Sequence, residues 1–127
     1  MIKKIMQKHV DGCVIACFAM VMGVSYDKAL KAVHPKRKKG KKIDGIPFVN
    51  LIKILNKLHI HIAVYPFSRN ILKIQRPAIL LMNQQGCDWS HVVVWDPESK
   101  KILDPDRKKR CSFEYYQKEL EWYLEVL

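Results

Sequence analysis

An α+β fold in a single domain is what this sequence predicts, and three observations carry the prediction. Apolar segments with helical spacing occupy the first half, at 13–22, 26–33 and 47–58. Short runs that alternate or are rich in β-branched residues fill the second half, at 59–65, 77–82, 90–95 and 101–104. A chain of 127 residues, 49% hydrophobic and 28% charged, suits one packed core. That composition argues against wholesale disorder. No apolar run reaches the roughly 18–20 residues of a membrane-spanning helix, and no repeat recurs at a solenoid period of roughly 20–50 residues.

Residues 1–11 show no periodicity and read as extended or irregular. Lys3 and Lys4 ahead of the apolar run Val14–Met22 have the look of a secretory signal. Lys8, His9 and Asp11 interrupt it, however, and no small-x-small site follows. Gly12 marks a turn into a buried helix, Cys13–Met22, which Gly23 is placed to cap. Ser25 is the N-cap of a second helix, Tyr26–Val33, with Lys28 where a capping box would hold Glu. Pro35 stops it, and Gly40 and Gly45 keep 34–44 open. Pro47–Leu58, apolar at 48, 51, 52, 55 and 58, is an amphipathic helix.

His59–Tyr65 alternates and ends at Pro66, as a strand does. Pro77–Met82 is nearly continuously apolar, the pattern of a strand buried on both faces. Gln84-Gln85-Gly86 makes a turn. Ser90–Trp95 is a third strand, Asp96–Ser99 a turn and Lys101–Asp104 a fourth strand. Phe113–Leu127, with Tyr116, Leu120, Tyr123, Leu124 and Leu127 on one face, reads as a closing C-terminal helix. The expected architecture is N-terminal helices packed on a C-terminal antiparallel sheet, residues 1–127 forming one domain.

The charge is uneven. Of 23 basic residues, six (Lys36, Arg37, Lys38, Lys39, Lys41 and Lys42) fall in one loop and four (Arg107, Lys108, Lys109 and Arg110) in another. Without those ten the body is close to neutral against its 12 acidic residues. Such loops either keep a small protein soluble or meet an anionic partner: nucleic acid, anionic lipid or an acidic protein. The cysteines at 13, 17, 87 and 111 form no CxxC and no disulfide framework. They read as reduced thiols in an intracellular, cytoplasmic setting.

Four residues carry candidate chemistry. Cys13 opens a helix, where free backbone N–H groups and the positive end of the dipole favour the nucleophilic thiolate. Gly12 before it permits a sharp turn and leaves room for a substrate backbone. Cys17, deeper in the same helix, reads as a core residue. His91 opens a strand, and a hairpin turn at Pro97–Ser99 places it opposite or beside Asp104. A carboxylate there fixes the imidazole tautomer and stabilises imidazolium. Asp96 is at the far end of the strand and orients His91 poorly; Asp88 is a weaker alternative. Gln7, six residues before Cys13, offers an amide that can share an oxyanion with the Cys13 N–H. Trp89 and Ser90 adjoin His91, and Trp89 and Trp95 either contribute a cleft wall or both belong to the core.

Gln7…Asp11-Gly12-Cys13, the helix Val14–Met22, Arg76–Leu81, Ser90–Val94 and Ile102-Leu103-Asp104-Pro105 together resemble the bacteriocin-processing (double-glycine leader) cysteine peptidases. Nearly the whole chain takes part, in order and spacing. The resemblance implies a papain-like fold, a peptide or protein substrate and no cofactor or metal. It implies Cys13 as nucleophile, His91 as general base and acid, Asp104 as orienter and Gln7 as oxyanion support. Two features depart from that family: glycine precedes the cysteine and Val14 follows it, where Asp-Cys-Gly is usual, and the chain reads as a free-standing bacterial or phage domain without the transporter many members carry. Acyl transfer to water, deamidation and transamidation all fit this machinery.

Two rival readings are open. His9, Cys13 and Cys17 recur every four residues, and Cys87 and His91 could add zinc ligands, but the spacing matches no zinc knuckle. A peptidase-like binding module without turnover, gripping an anionic partner through its basic loops, is the other. The basic segments lack the interleaved aromatics that stack bases.

Overall fold

Helix α1 (Cys13–Met22) is apolar on every side, and Val14 through Met20 are all buried, which makes it the central helix rather than a surface one. It ends as the sequence predicts. Gly23 takes a left-handed φ of 67°, and the Val24 amide reaches back 3.0 Å to the Ala19 carbonyl. Helix α2 (Tyr26–Val33) starts at Ser25, whose side chain accepts the Lys28 amide at 3.1 Å. Helix α3 (Phe48–Lys57) buries Leu51 and Leu55 completely. The computed structural model describes residues 1–9, 12–36, 46, 48–66, 70–82, 91–106 and 112–127. The expected turn at Gln84–Gly86 lies outside them. Among the described residues no single helix is long and apolar enough to cross a membrane.

The strands are β1 (Ile62–Pro66), β2 (Ala78–Met82), β3 (His91–Asp96), β4 (Lys101–Leu103) and β5 (Leu120–Val126), in the antiparallel order β1-β5-β2-β3-β4. Strand β1 begins at Ile62, three residues later than the alternation suggests. His59 has a φ of 60°, and the Ile60 amide donates to the Leu55 carbonyl at 3.0 Å. These two residues finish helix α3 instead of starting a strand. A 3-10 turn at Ile71–Lys73, invisible in the sequence pattern, follows β1.

The expected closing helix is the largest correction. It forms only as α4 (Phe113–Glu119), capped by Ser112, and the chain then turns extended at Leu120 and enters the sheet between β1 and β2. Leu120–Val126 satisfies both templates: apolar residues at helical spacing, and strand alternation broken by one bulge. The bulge leaves Glu121 unmatched between the Leu81–Trp122 and Met82–Leu120 pairs. Pairing on both sides satisfies backbone groups of β1 and β2 that a helix could not reach, and this tertiary demand overrides local periodicity.

Both faces of the sheet are covered. Ile79, Leu81, Val92, Val94 and Leu124 meet α1, α2 and α3 on one side. Ala78, Leu80, Met82, Val93 and Trp95 meet Ile71, Ile74, Tyr116 and Leu120 on the other. This explains why β2 and β3 read as continuous apolar runs. Trp95 is wholly core, its indole N–H donating to the Ile74 carbonyl at 2.9 Å.

Candidate active site

The N-terminal segment, the start of α1 and one end of the β3–β4 hairpin converge. The hairpin register pairs Val94 with Leu103. Asp104, one step further, is therefore level with Val93, so that His91 lies beside it on the diagonal rather than directly opposite. The turn consumes four residues, with Lys100 at a φ of 56°, where three were expected. Because side chains alternate, His91, two residues from Val93, still shares its face, and the diagonal is short enough to bridge. His91 Nε2 lies 2.8 Å from Asp104 Oδ1, and both residues are buried.

Asp104 is surrounded by donors. Oδ1 also accepts the Asp106 amide at 2.9 Å, and Oδ2 accepts the Tyr116 hydroxyl at 2.7 Å. Burial alone would raise this carboxyl. The hydrogen bonds from His91 and Tyr116, the His91 charge and the Asp106 amide outweigh it and hold the group below its ordinary 3.8. For His91, burial would lower the value. Hydrogen bonds with Asp104 and Cys13, reinforced by their charges, raise it instead from 6.5 to about 9.

Cys13 is the first residue of α1 and is half-buried. It is near enough to His91 to help raise that imidazole. Gly12, the N-cap, is buried, and its amide donates to the His9 carbonyl at 3.0 Å. The structure gives this glycine a reason other than room for a substrate: a Cβ here would run into the Tyr26 hydroxyl and lie 3.1 Å from the His9 carbonyl oxygen. Cys17 is a core residue, donating to the Val92 carbonyl at 3.5 Å; burial, with the Cys13 and Asp104 charges, pushes its thiol well up.

Gln7 is tied to the same place. Its amide nitrogen donates to the Pro105 carbonyl at 3.0 Å, which binds the N-terminal segment to the residue after Asp104. Its side chain packs beside Gly12 and donates from Nε2 to the His9 carbonyl at 2.9 Å. His9 is stacked on Tyr26, with Nδ1 2.9 Å from the Tyr26 hydroxyl. It precedes α1, so the helical spacing of a His9–Cys13–Cys17 ligand set does not exist. Among the described residues no three His, Cys, Asp or Glu side chains are grouped to hold a metal ion.

Cys13, His91 and Asp104 are thus brought together, with Gln7 alongside. Asp96 is not part of this group: it accepts the Ile2 amide, the Glu98 amide and the Ser99 hydroxyl in the hairpin turn. Trp89 and Ser90, with Asp88, lie outside the described residues, as do Arg37, Lys38, Lys39, Lys41, Lys42 and Arg107, Lys108, Lys109, Arg110. Lys36 is described and exposed, just beyond α2. Sequence reasoning missed Tyr116 as a partner of Asp104. The available signal was a tyrosine on the buried face of an amphipathic helix, where the hydroxyl must find a polar neighbour.

Comparison with solved structures finds the same fold in the peptidase domain of Streptococcus ComA, a bi-functional ABC transporter involved in a quorum-sensing pathway. The match has a TM-score of 0.69, spans 100% of both chains and holds at 19% sequence identity. Comparison with curated proteins finds no match. The family model of the Peptidase C39 family matches residues 1–123, nearly the whole length and all four converging residues. This chain, with its papain-like α+β architecture, belongs to the Peptidase C39 family of cysteine peptidases.

Proposed function

We propose that the chain cleaves a peptide or protein substrate through a Cys13–His91–Asp104 triad, with Gln7 supporting the oxyanion. One observation carries this reading: His91 is hydrogen-bonded to Asp104, and Cys13 is near enough to act on the same imidazole. With Nε2–H donated to the carboxylate, Nδ1 is the nitrogen that exchanges a proton with the thiol. A His91 held positive at neutral pH by its partners is an ion-pair partner for a Cys13 thiolate. That thiolate attacks the amide carbonyl, and the oxyanion meets the Cys13 N–H and Gln7 Nε2. His91 then protonates the leaving amine and later activates the water that releases the acyl group. Hydrolysis is the outcome the family supports; deamidation or transamidation would need a different amide or acceptor in the same geometry.

Iodoacetamide labelling with mass-spectrometric site mapping tests this without a known substrate. Cys13 is expected to react selectively at neutral pH, and His91→Ala to slow it by at least tenfold, the loss of one favourable charge partner. Equal labelling of Cys17 or Cys111, or Cys13 reactivity indifferent to His91→Ala, would refute the triad.

A further inference from the structure

On the reading of Cys13, His91 and Asp104 just given, we propose that Tyr116 is a fourth, positioning member of the site, its hydroxyl locking the Asp104 carboxylate so that one chosen oxygen faces His91. A carboxylate turns about a broad, roughly two-fold terminal torsion, and either oxygen could meet an imidazole. Here each oxygen is committed. Oδ1 takes His91 at 2.8 Å and the Asp106 amide at 2.9 Å, while Oδ2 takes Tyr116 at 2.7 Å.

The brace comes from an element outside the hairpin that carries His91 and Asp104. Helix α4 is fastened at two points around Tyr116. Ser112 caps it through the Tyr115 amide at 3.2 Å, and Gln117 Oε1 accepts the Ile71 amide at 2.9 Å. The Tyr116 ring is buried in the second core and meets Tyr115 edge-on at 5.8 Å. Packing alone would be served equally by phenylalanine. A hydroxyl buried against a carboxylate is a charge-assisted contact with no such substitute. Among the described residues, the titratable groups acting on Asp104 are His91 from β3, Tyr116 from α4 and Cys17 from α1.

The test is the pH profile of Cys13 alkylation by iodoacetamide in Tyr116→Phe, which keeps the ring. The neutral-pH rate is expected to fall roughly tenfold, the scale of one hydrogen bond to a charged group, and the midpoint of the profile to move to higher pH. Both follow if a looser Asp104 supports the His91 imidazolium less well and becomes easier to protonate. An unchanged rate and midpoint, or a downward shift, overturns the proposal. In an Asp104→Asn background the same substitution should have no further effect, and a full additional loss overturns it too. A measurement on the unsubstituted protein guards against a variant that does not fold: the Tyr116 hydroxyl proton should exchange slowly enough to be seen by NMR, and a freely exchanging one refutes the contact. If Cys13 labelling depends on His91 and Asp104 but not on Tyr116, only this proposal fails. If it depends on none of them, the triad fails with it.

Discussion

The two faces of the sheet hold the site by different means. On the α1–α3 side the contact is almost wholly apolar, and Cys13 is placed by a helix packed on every side. On the α4 side, hydrogen bonds stitch the layers at defined atoms: Trp95 to Ile74, Ile71 to Gln117 and Tyr116 to Asp104. Apolar packing fixes where an element lies, to within what neighbouring side chains tolerate. Hydrogen bonds fix which atom of a group points where, and a base with an orienting carboxylate needs that second kind of control. Cys13 thus stands on the packed face, and His91 and Asp104 on the stitched one.

Substitutions can break this contrast. The largest effect expected is from Leu55→Ala, on the fully buried face of α3. It should cost about 2–5 kcal/mol of stability in a urea titration, yet leave Cys13 selectively alkylated in the fraction that remains folded. Gly12→Ala sits where the two modes meet. The added Cβ collides with the Tyr26 hydroxyl, and about 1–3 kcal/mol should be lost. The double variant Gly12→Ala/Tyr26→Phe should regain part of that, not all, because the His9 carbonyl still crowds the site. Additive losses in the double variant would mean the collision is relieved in another way.

The smallest effect is the dependence of stability on pH. His91 is raised in the folded state from 6.5 to about 9, so its contribution is fully present below pH 6.5 and fades as pH climbs through about 9. Asp104 is lowered, so its contribution is present above 3.8 and is lost as pH falls through its depressed folded value. Denaturation of the unsubstituted protein should therefore show a decline on the alkaline side that Asp104→Asn blunts. An identical alkaline decline in the variant would show that the His91–Asp104 contact is not its source.

What could be read from the sequence was whatever is decided within a few residues. Gly23 and Ser25 mark the ends of α1 and α2 because capping is a matter of local hydrogen bonds. The His91–Asp104 partnership was legible despite a misjudged register, because a slip of two residues in a hairpin preserves which face a side chain occupies. Leu120–Val126 was misread because its pattern fits a helix as well as a bulged strand, and only β1 and β2, far earlier in the chain, decide between them. Tyr116 was visible as an apolar-face residue, but its hydroxyl's target lies on another element. Such contacts leave no periodic trace.

The place of β5 has a consequence for how the protein is born. Among the described residues its two neighbours, β1 and β2, are joined to each other only through it. While the chain is being synthesised, β1 and the β2–β3–β4 meander have no strand between them until β5, made after them, leaves the ribosome. Helix α1 and the β3–β4 hairpin are made before β5, so β5 acts as a latch, and folding should be gated by its slow, non-local docking.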